Sequence, residues 1–262
     1  MKIGTSVALL TILSFISCKK NENLGLSENK EFKVDSTVVV DSMMIGESLK
    51  LNYSSTILRF PNIEDQELLD SIYAPYKKLS HFSEDSIRRY SQQEKDSFFN
   101  SIKDQHQSWM VSAGYTDKWY EKSRMKIKSN DHNFLHIQYS INSYMGGAHG
   151  NYAYNERVFD LENNKQLQLS DITTIDKESL SLLLRENLDS TKKSMQTIDN
   201  SEMLLVEKIP VTNNFYFDNN NIYFHYSPYE IAAYAAGDII IPISWKKLNN
   251  TLTPEFKQRI NL

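Results

Sequence analysis

Residues 133–151 read NFLHIQYSINSYMGGAHGN, and this stretch decides the fold. Its first part alternates between an apolar set, Leu135, Ile137, Tyr139 and Ile141, and a polar set, His136, Gln138, Ser140 and Asn142. A period of two is typical of a strand, whose successive side chains point to opposite faces. The second part carries three of the eight glycines of the chain. It therefore predicts a tight turn with positive φ or a close approach of the backbone.

Further strand and helix patterns occur on both sides of this stretch. Runs rich in β-branched, aromatic or apolar residues predict strands at 32–40, 49–60, 119–128, 152–161, 165–169, 214–218, 221–226 and 239–244. Apolar residues near helical spacing predict a helical segment in pieces over 62–108 and a helix over 176–193. We therefore expect an α+β fold of two mixed halves, 31–145 and 146–262, each with an antiparallel sheet packed by helices.

Composition excludes several classes of protein. Of the 262 residues, 40% are hydrophobic and 24% are charged, which excludes a disordered, collagenous or polytopic membrane protein. The net charge is −4, and without residues 1–17, which carry one Lys, it is 28 − 33 = −5. An acidic chain is a poor partner for nucleic acid.

The N-terminus has the pattern of a lipoprotein signal peptide over residues 1–17. Lys2 precedes a short apolar run that is far below the roughly 20 residues of a membrane span. The run ends in Phe-Ile-Ser before Cys18, the only cysteine, and resembles the lipobox of bacterial lipoproteins except that Phe15 replaces the usual Leu. Polar residues 18–30 suit a flexible tether. We expect an acylated Cys18 on a cell-envelope membrane, facing the periplasm; the alternative is a plain signal peptide with a chance cysteine.

Catalytic and metal-binding patterns are weak. His132 and His136 are four apart, as in a metal-binding helix, but on a strand four residues span roughly 13 Å. We therefore predict a structural or surface role for these histidines, no metal and no cofactor. The chain has no G-x-S-x-G, H-E-x-x-H or Walker motif. The alternative is an unrecognised cell-wall hydrolase or deacetylase that uses His149 and a nearby acid.

Two segments hold the candidate binding residues. The first is the glycine-rich turn, with Gly146, Gly147, His149 and Asn151, and the second is SPYEIAAYAAG at 227–237, with Tyr229, Glu230 and Tyr234. Each segment also has a purely structural interpretation. The glycine-rich turn could be a tight crossover that His149 holds in place, and the alanines of 227–237 could pack in the core. Exposed tyrosines would favour an interface instead, because tyrosine is enriched at binding hot spots.

The order of several motifs resembles a known pair of domains. After GGAHGN come FDL at 159–161, LQLSDI at 167–172, IYFHYSPYEIAAYAAG at 222–237 and IIIPI at 239–243. This order, over about residues 30–250, is similar to the paired domains of unknown function in RsiV-type anti-sigma factors, which also precede the catalytic domain of PdaC-type peptidoglycan deacetylases. The chain departs from both in lacking a sigma-binding segment and a deacetylase domain.

The resemblance implies a two-part α+β structure and, from the anti-sigma relatives, a surface that grips lysozyme. The expected function is therefore a lipid-anchored, non-catalytic binding module of the cell envelope. Its expected ligand is a basic, lysozyme-like wall hydrolase or the peptidoglycan itself.

Acylation of Cys18 can be tested directly. Replacing Cys18 by Ala removes the expected acylation site, so the protein should leave the membrane fraction and stop incorporating labelled palmitate. Ser17→Thr, which leaves the cysteine in place, is the control. Unchanged labelling and membrane retention of the Cys18→Ala protein would contradict the prediction.

Overall fold

A computed structural model describes residues 32–105, 117–191 and 198–262. The predicted signal peptide, Cys18 and the tether lie outside these residues, so they stay predictions. All described residues fall within one compact unit that spans Phe32–Leu262. Among the described helices, none combines the length and the apolarity that a bilayer crossing requires.

The first sheet has six strands in the order β1-β2-β3-β4-β5-β6. These strands are β1 Asp35–Ile45, β2 Leu49–Arg59, β3 Asp117–Asp131, β4 Phe134–Tyr144, β5 Asn151–Asp160 and β6 Lys165–Gln166. The expected antiparallel sheet was wrong at one position, because β2 and β3 pair in parallel. Parallel neighbours need a long crossover, and the helical segment between these two strands supplies part of it.

The helical segment of the first half consists of α1 Gln66–Tyr73 and α2 Glu84–Gln105, as its spacing predicted. Asp65 caps α1 by accepting a 2.8 Å hydrogen bond from Leu68 N. Glu84 and Asp85 occupy the first turn of α2, where a negative charge favours the helix dipole. Asp65, Glu84 and Asp85 therefore help to start the two helices.

The second sheet has three antiparallel strands, β7 Phe215–Phe217, β8 Asn221–Tyr226 and β9 Ile239–Ser244. The short helices α3 Leu169–Ile172, α4 Lys177–Asn187, α5 Trp245–Leu248 and α6 Pro254–Arg259 accompany it. The expected strand at 165–169 was too long. Asp171 accepts a 2.7 Å hydrogen bond from the backbone N–H of Gln168, which caps a helical turn and ends the strand at Gln166.

Strands β4 and β5 are covered on both faces at one end. Leu135 and Phe159 join the apolar cluster that includes α1 residues, whereas Phe134 and Val158 join the cluster that includes the second sheet. Strands β5 and β6 belong to this first sheet, so the sheet continues past residue 146, which was the expected boundary between the halves. The α+β class is confirmed. The division into two halves stays a prediction.

Because β4 contributes to both clusters, a cavity at Leu135 should weaken the whole unit. Leu135 has no exposed surface, and its replacement by Ala should lower the free energy of unfolding by about 2 to 5 kcal/mol. Calorimetry should show one transition, shifted as a unit. Val40→Ala is the control, since Val40 is 71% exposed and should cost less than about 0.5 kcal/mol. Two separate transitions in the wild-type protein would contradict this prediction.

Candidate binding surface

The glycine-rich turn joins β4 to β5, and its glycines are needed where they stand. Gly146 and Gly147 have φ of 87° and 92°, which confirms the positive φ predicted for this turn. A Cβ on Gly150 would lie 2.7 Å from the carbonyl oxygen of Ser143, too close for any side chain. The Tyr144 hydroxyl donates a 3.0 Å hydrogen bond to Gly147 O and closes the turn.

The segment 227–237 is a chain of turns that ends in a short 3₁₀ helix, Tyr234–Ala236. Ala232 and Ala236 are buried in the cluster around the second sheet, so core packing explains these two alanines. Tyr229 has a φ of 69°, a left-handed conformation that is a genuine outlier for a bulky residue. Such strain costs roughly 1 kcal/mol or more, so the surrounding contacts must hold Tyr229 in place.

The structure brings the turn and this segment together. His149 and Tyr234 stack with ring centroids 3.7 Å apart, and the Tyr234 hydroxyl donates a 2.8 Å hydrogen bond to Gly150 O. Tyr152 meets the edge of Tyr234 at 6.1 Å, and Tyr229 lies 5.6 Å from Tyr234. We call His149, Tyr152, Tyr229 and Tyr234 the aromatic cluster. Both candidate tyrosines, Tyr229 and Tyr234, therefore share one surface with the candidate histidine, His149.

The other candidates have different positions. Gly146 and Gly147 shape the turn, and Asn151 begins β5, where it pairs with Ser143. Glu230 turns back on its own segment, where its Oε2 accepts a 2.8 Å hydrogen bond from Ser227 N. It also lines a groove that contains no member of the aromatic cluster.

Two hydrogen-bond contacts hold the ring of His149 in place. Its Nδ1 lies 3.0 Å from Gly150 O and its Nε2 lies 3.3 Å from the Tyr229 hydroxyl. A ring protonated on Nδ1 satisfies both contacts, because it donates to the carbonyl and accepts from the hydroxyl. Both partners are neutral oxygens, whereas a catalytic histidine is ordinarily oriented by a carboxylate.

Glu156 of β5 is 1% exposed and has partners on strands of both sheets. Its Oε2 is 2.7 Å from His136 Nε2, and its Oε1 lies 2.8 Å from His225 Nδ1. Gln138 Nε2 donates a further 2.7 Å hydrogen bond to Oε1. The backbone N–H of Glu156 donates to the side chain of Asn214, which also bonds the carbonyls of Tyr154 and His225.

These donors keep the buried carboxyl charged. Burial raises the pKa of Glu156, but the hydrogen bonds from His136, His225 and Gln138 outweigh it and bring the pKa to about 2. For His225, burial lowers the pKa, while Asp238 and Glu156 outweigh burial and raise it. His225 Nε2 lies 3.7 Å from Asp238 Oδ2, which is an ion-pair separation rather than a hydrogen bond.

Sequence reasoning missed this network. His136 was expected to be structural or on the surface, and it proves to be buried and stacked on Tyr216 with centroids 4.8 Å apart. Glu156 and His225 were not singled out. The only signal in the sequence was Glu156 itself, an acid within a predicted strand. That it lies opposite Gln138 of β4 depends on the strand register, which the sequence does not give.

His132 and His136, whose spacing resembles that of a metal-binding helix, lie in different parts of the structure. His132 sits in the β3–β4 turn with a φ of 50°, whereas His136 points into the network around Glu156. Within the described segments, no three His, Cys, Asp or Glu side chains are arranged to hold a metal ion.

Comparison with known proteins agrees with this architecture. Residues 160–246 match a family model described as a protein of unknown function, DUF3298, and residues 47–152 match a model described as deacetylase PdaC. The resemblance to paired PdaC-type and unknown-function domains is thereby confirmed, since a region that matches the first model precedes a region that matches the second.

Solved structures show the same fold. A DUF3298 family member from Bacteroides fragilis has a TM-score of 0.71 at 24% identity, over 88% of this chain and 98% of its own. A DUF3298 family protein from Pseudomonas aeruginosa has a TM-score of 0.57 at 17% identity, over 87% of this chain and 97% of its own. No curated protein matches the chain.

The network around Glu156 predicts a specific pH dependence. A carboxyl whose folded pKa is about 2, below its ordinary 4.5, stabilises the fold above pH 4.5, and this contribution is lost as the pH falls toward 2. The raised pKa of His225 adds stability below pH 6.5 that is lost as the pH rises through its folded value. Glu156→Gln should cost about 3 kcal/mol at neutral pH, because it removes the charged partner of two buried imidazoles.

Urea unfolding from pH 2 to 8 measures this effect. The difference between wild type and Glu156→Gln should shrink as the pH falls from 4.5 toward 2. The control is Glu47→Gln, since Glu47 is exposed in the turn between β1 and β2 and its replacement should leave the shape of the profile unchanged. A difference for Glu156→Gln that is constant over the whole range would contradict the prediction.

Proposed function

We propose that the folded region is a non-catalytic binding module of the cell envelope that grips a basic, lysozyme-like wall hydrolase through the aromatic cluster. The observation that carries the proposal is the convergence of His149 with Tyr229 and Tyr234, which lie 80 or more positions apart in sequence, on one surface. Clustered tyrosines are typical of interface hot spots.

The preorganisation of this surface favours protein recognition. Tyr229 is 56% exposed, yet its hydroxyl contacts His149 and its backbone is held in a left-handed conformation. A rigid side chain loses little conformational entropy on binding, so most of its contact energy appears as affinity. Strain retained at an exposed tyrosine is an observation from which a functional role can be argued.

Charge favours a cationic partner. The chain after residue 17 has a net charge of −5, which attracts a basic protein and speeds its encounter at low salt. Together with the resemblance to the lysozyme-gripping part of RsiV-type anti-sigma factors, this points to a wall hydrolase. We further propose that acylated Cys18 holds the module on an envelope membrane, where such enzymes act.

The hydrolase alternative needs an acid on His149, and the acid near the cluster, Asp238, neighbours Tyr152 instead. Within the described part of the chain, both ring nitrogens of His149 contact neutral oxygens. Binding of wall glycan by the same aromatic rings is the other ligand to test, because sugars also stack on tyrosine.

Calorimetric titration of the full chain, in detergent, against a basic lysozyme tests the proposal. Tyr229→Ala should weaken binding by about 2 kcal/mol, close to thirtyfold, because it removes an exposed anchor of the cluster. Association should also slow as salt rises. The control is Leu182→Ala, since Leu182 is 61% exposed on α4, which supplies no member of the cluster.

Three results would contradict the proposal. The first is no binding of lysozyme by the wild-type chain, and the second is equal losses from Tyr229→Ala and Leu182→Ala. The third is wall lysis by the chain itself that disappears with His149→Ala, which would favour the hydrolase. If the chain binds purified peptidoglycan but not lysozyme, the ligand of the aromatic cluster is a glycan.

A further inference from the structure

A groove of about 610 Å³ lies beside the aromatic cluster and shares none of its residues. Its walls come from the end of α1, from β4 and β5, and from the segments 212–214 and 227–230. This volume is in the range of sites for small molecules. Its lining combines an apolar wall with polar side chains, so the groove has the mixed character of such sites.

Arg157 supplies the positive charge of the groove. Its guanidinium donates to Ser71 O at 2.9 Å and to the side-chain oxygen of Gln166, and both acceptors are neutral. No carboxylate pairs with it among the described residues, although the side chain is half-buried, and burial lowers its pKa. A guanidinium stays charged at any physiological pH, so this cation retains unused capacity to bind an anion.

The other residues that line the groove suit a sugar ring. The side-chain amides of Asn155 and Asn213 make no hydrogen bond to other described residues, and Thr212 adds a hydroxyl. Pro75 and Ile141 provide apolar contact, Ile141 being 56% exposed. A pyranose has apolar faces and a rim of hydroxyls, which matches amides and hydroxyls placed beside an apolar wall.

The charged residues of the groove determine which kind of anion fits best. Glu230 is the other charged residue that lines the groove, so one guanidinium and one carboxylate leave it close to neutral. Glu230 repels a dianionic phosphate about twice as strongly as a single carboxylate, and the carboxylate can bond Arg157 in the planar two-point geometry that guanidinium favours.

The outer side of β5 next to the groove carries no strand, since β6 pairs only with Phe159 and Asp160. The side chains of Ser227 and Asn214 already bond Tyr154 N, Tyr154 O and Glu156 N there, so an added peptide strand would find few free backbone partners.

We propose that this groove binds a carboxylate-bearing sugar, with the carboxylate on Arg157 and the hydroxyls on Asn155, Asn213 and Thr212. The site is separate from the aromatic cluster. It can therefore exist whether or not the chain binds a wall hydrolase.

Two matched glycosides test the site on the full chain by calorimetry. Methyl glucuronide and methyl glucoside share one ring and differ only in the carboxylate, so the glucuronide should bind at least about tenfold more tightly. Arg157→Gln should reduce this ratio to near one. Glu230→Gln, which keeps an oxygen to accept from Ser227 N, should tighten glucuronide binding without affecting the glucoside.

Because Arg157 also bonds Ser71 O, the fold of its variant must be verified by circular dichroism. Should Arg157→Gln not fold, the Glu230→Gln chain and the glycoside ratio decide the question. Equal affinities for the two glycosides would overturn the proposal, as would unchanged glucuronide binding by a folded Arg157→Gln chain. Acetate that binds as tightly as the glucuronide would overturn the sugar assignment. Tyr229→Ala should leave glucuronide binding unchanged, which separates this site from the proposed protein interface.

Discussion

The carboxylate of Glu156 is a buried charge that ties the two sheets together, and the placement of the candidate surface depends on it. Removing a carboxylate from water costs several kcal/mol, so the group can remain ionised there only if donors surround it. His136 and Gln138 come from β4 and His225 comes from β8, so satisfying one charge requires both sheets to be in place. An arrangement that moved β8 away would remove the donor of His225 and leave only the two donors of β4.

The position of the aromatic cluster follows from this constraint. His225 is close to the end of β8, and the segment that carries Tyr229 and Tyr234 begins directly after that strand. The Ser227 hydroxyl then accepts a 3.0 Å hydrogen bond from Tyr154 N, which ties the start of the segment to β5. The tyrosines therefore reach the β4–β5 turn because the buried network first fixes the strand that leads to them.

Much of this fold could be predicted from the pattern of residues. The alternation in β4, the helical spacing before β3 and the two apolar runs that became β7 and β8 all depend on neighbours in sequence, and they were found. The parallel pairing of β2 with β3 was not, because an alternating strand carries no signal for the direction of its partner.

The same limit applies to the candidate site. His149 and Tyr234 were each identifiable from composition and turn chemistry, but their stacking depends on where a different sheet packs. Glu156 was missed because the role of an acid in a strand cannot be inferred until the residues that donate hydrogen bonds to it are known. Those donors lie 18, 20 and 69 positions away, and two of the three are on the neighbouring strand. Local patterns identify elements, and contacts between distant elements make the site.

The parallel pair β2–β3 also has a consequence for the order in which the chain folds. Strands β1 and β2 form a hairpin, and β3, β4 and β5 form a meander, so each group can assemble from neighbouring sequence. Their union must wait until Leu49 meets Asp117 across the whole helical segment, and closing so long a loop is entropically expensive. Folding should therefore be limited by the docking of two preformed pieces, with the unpaired edges of β2 and β3 exposed to other chains until they meet.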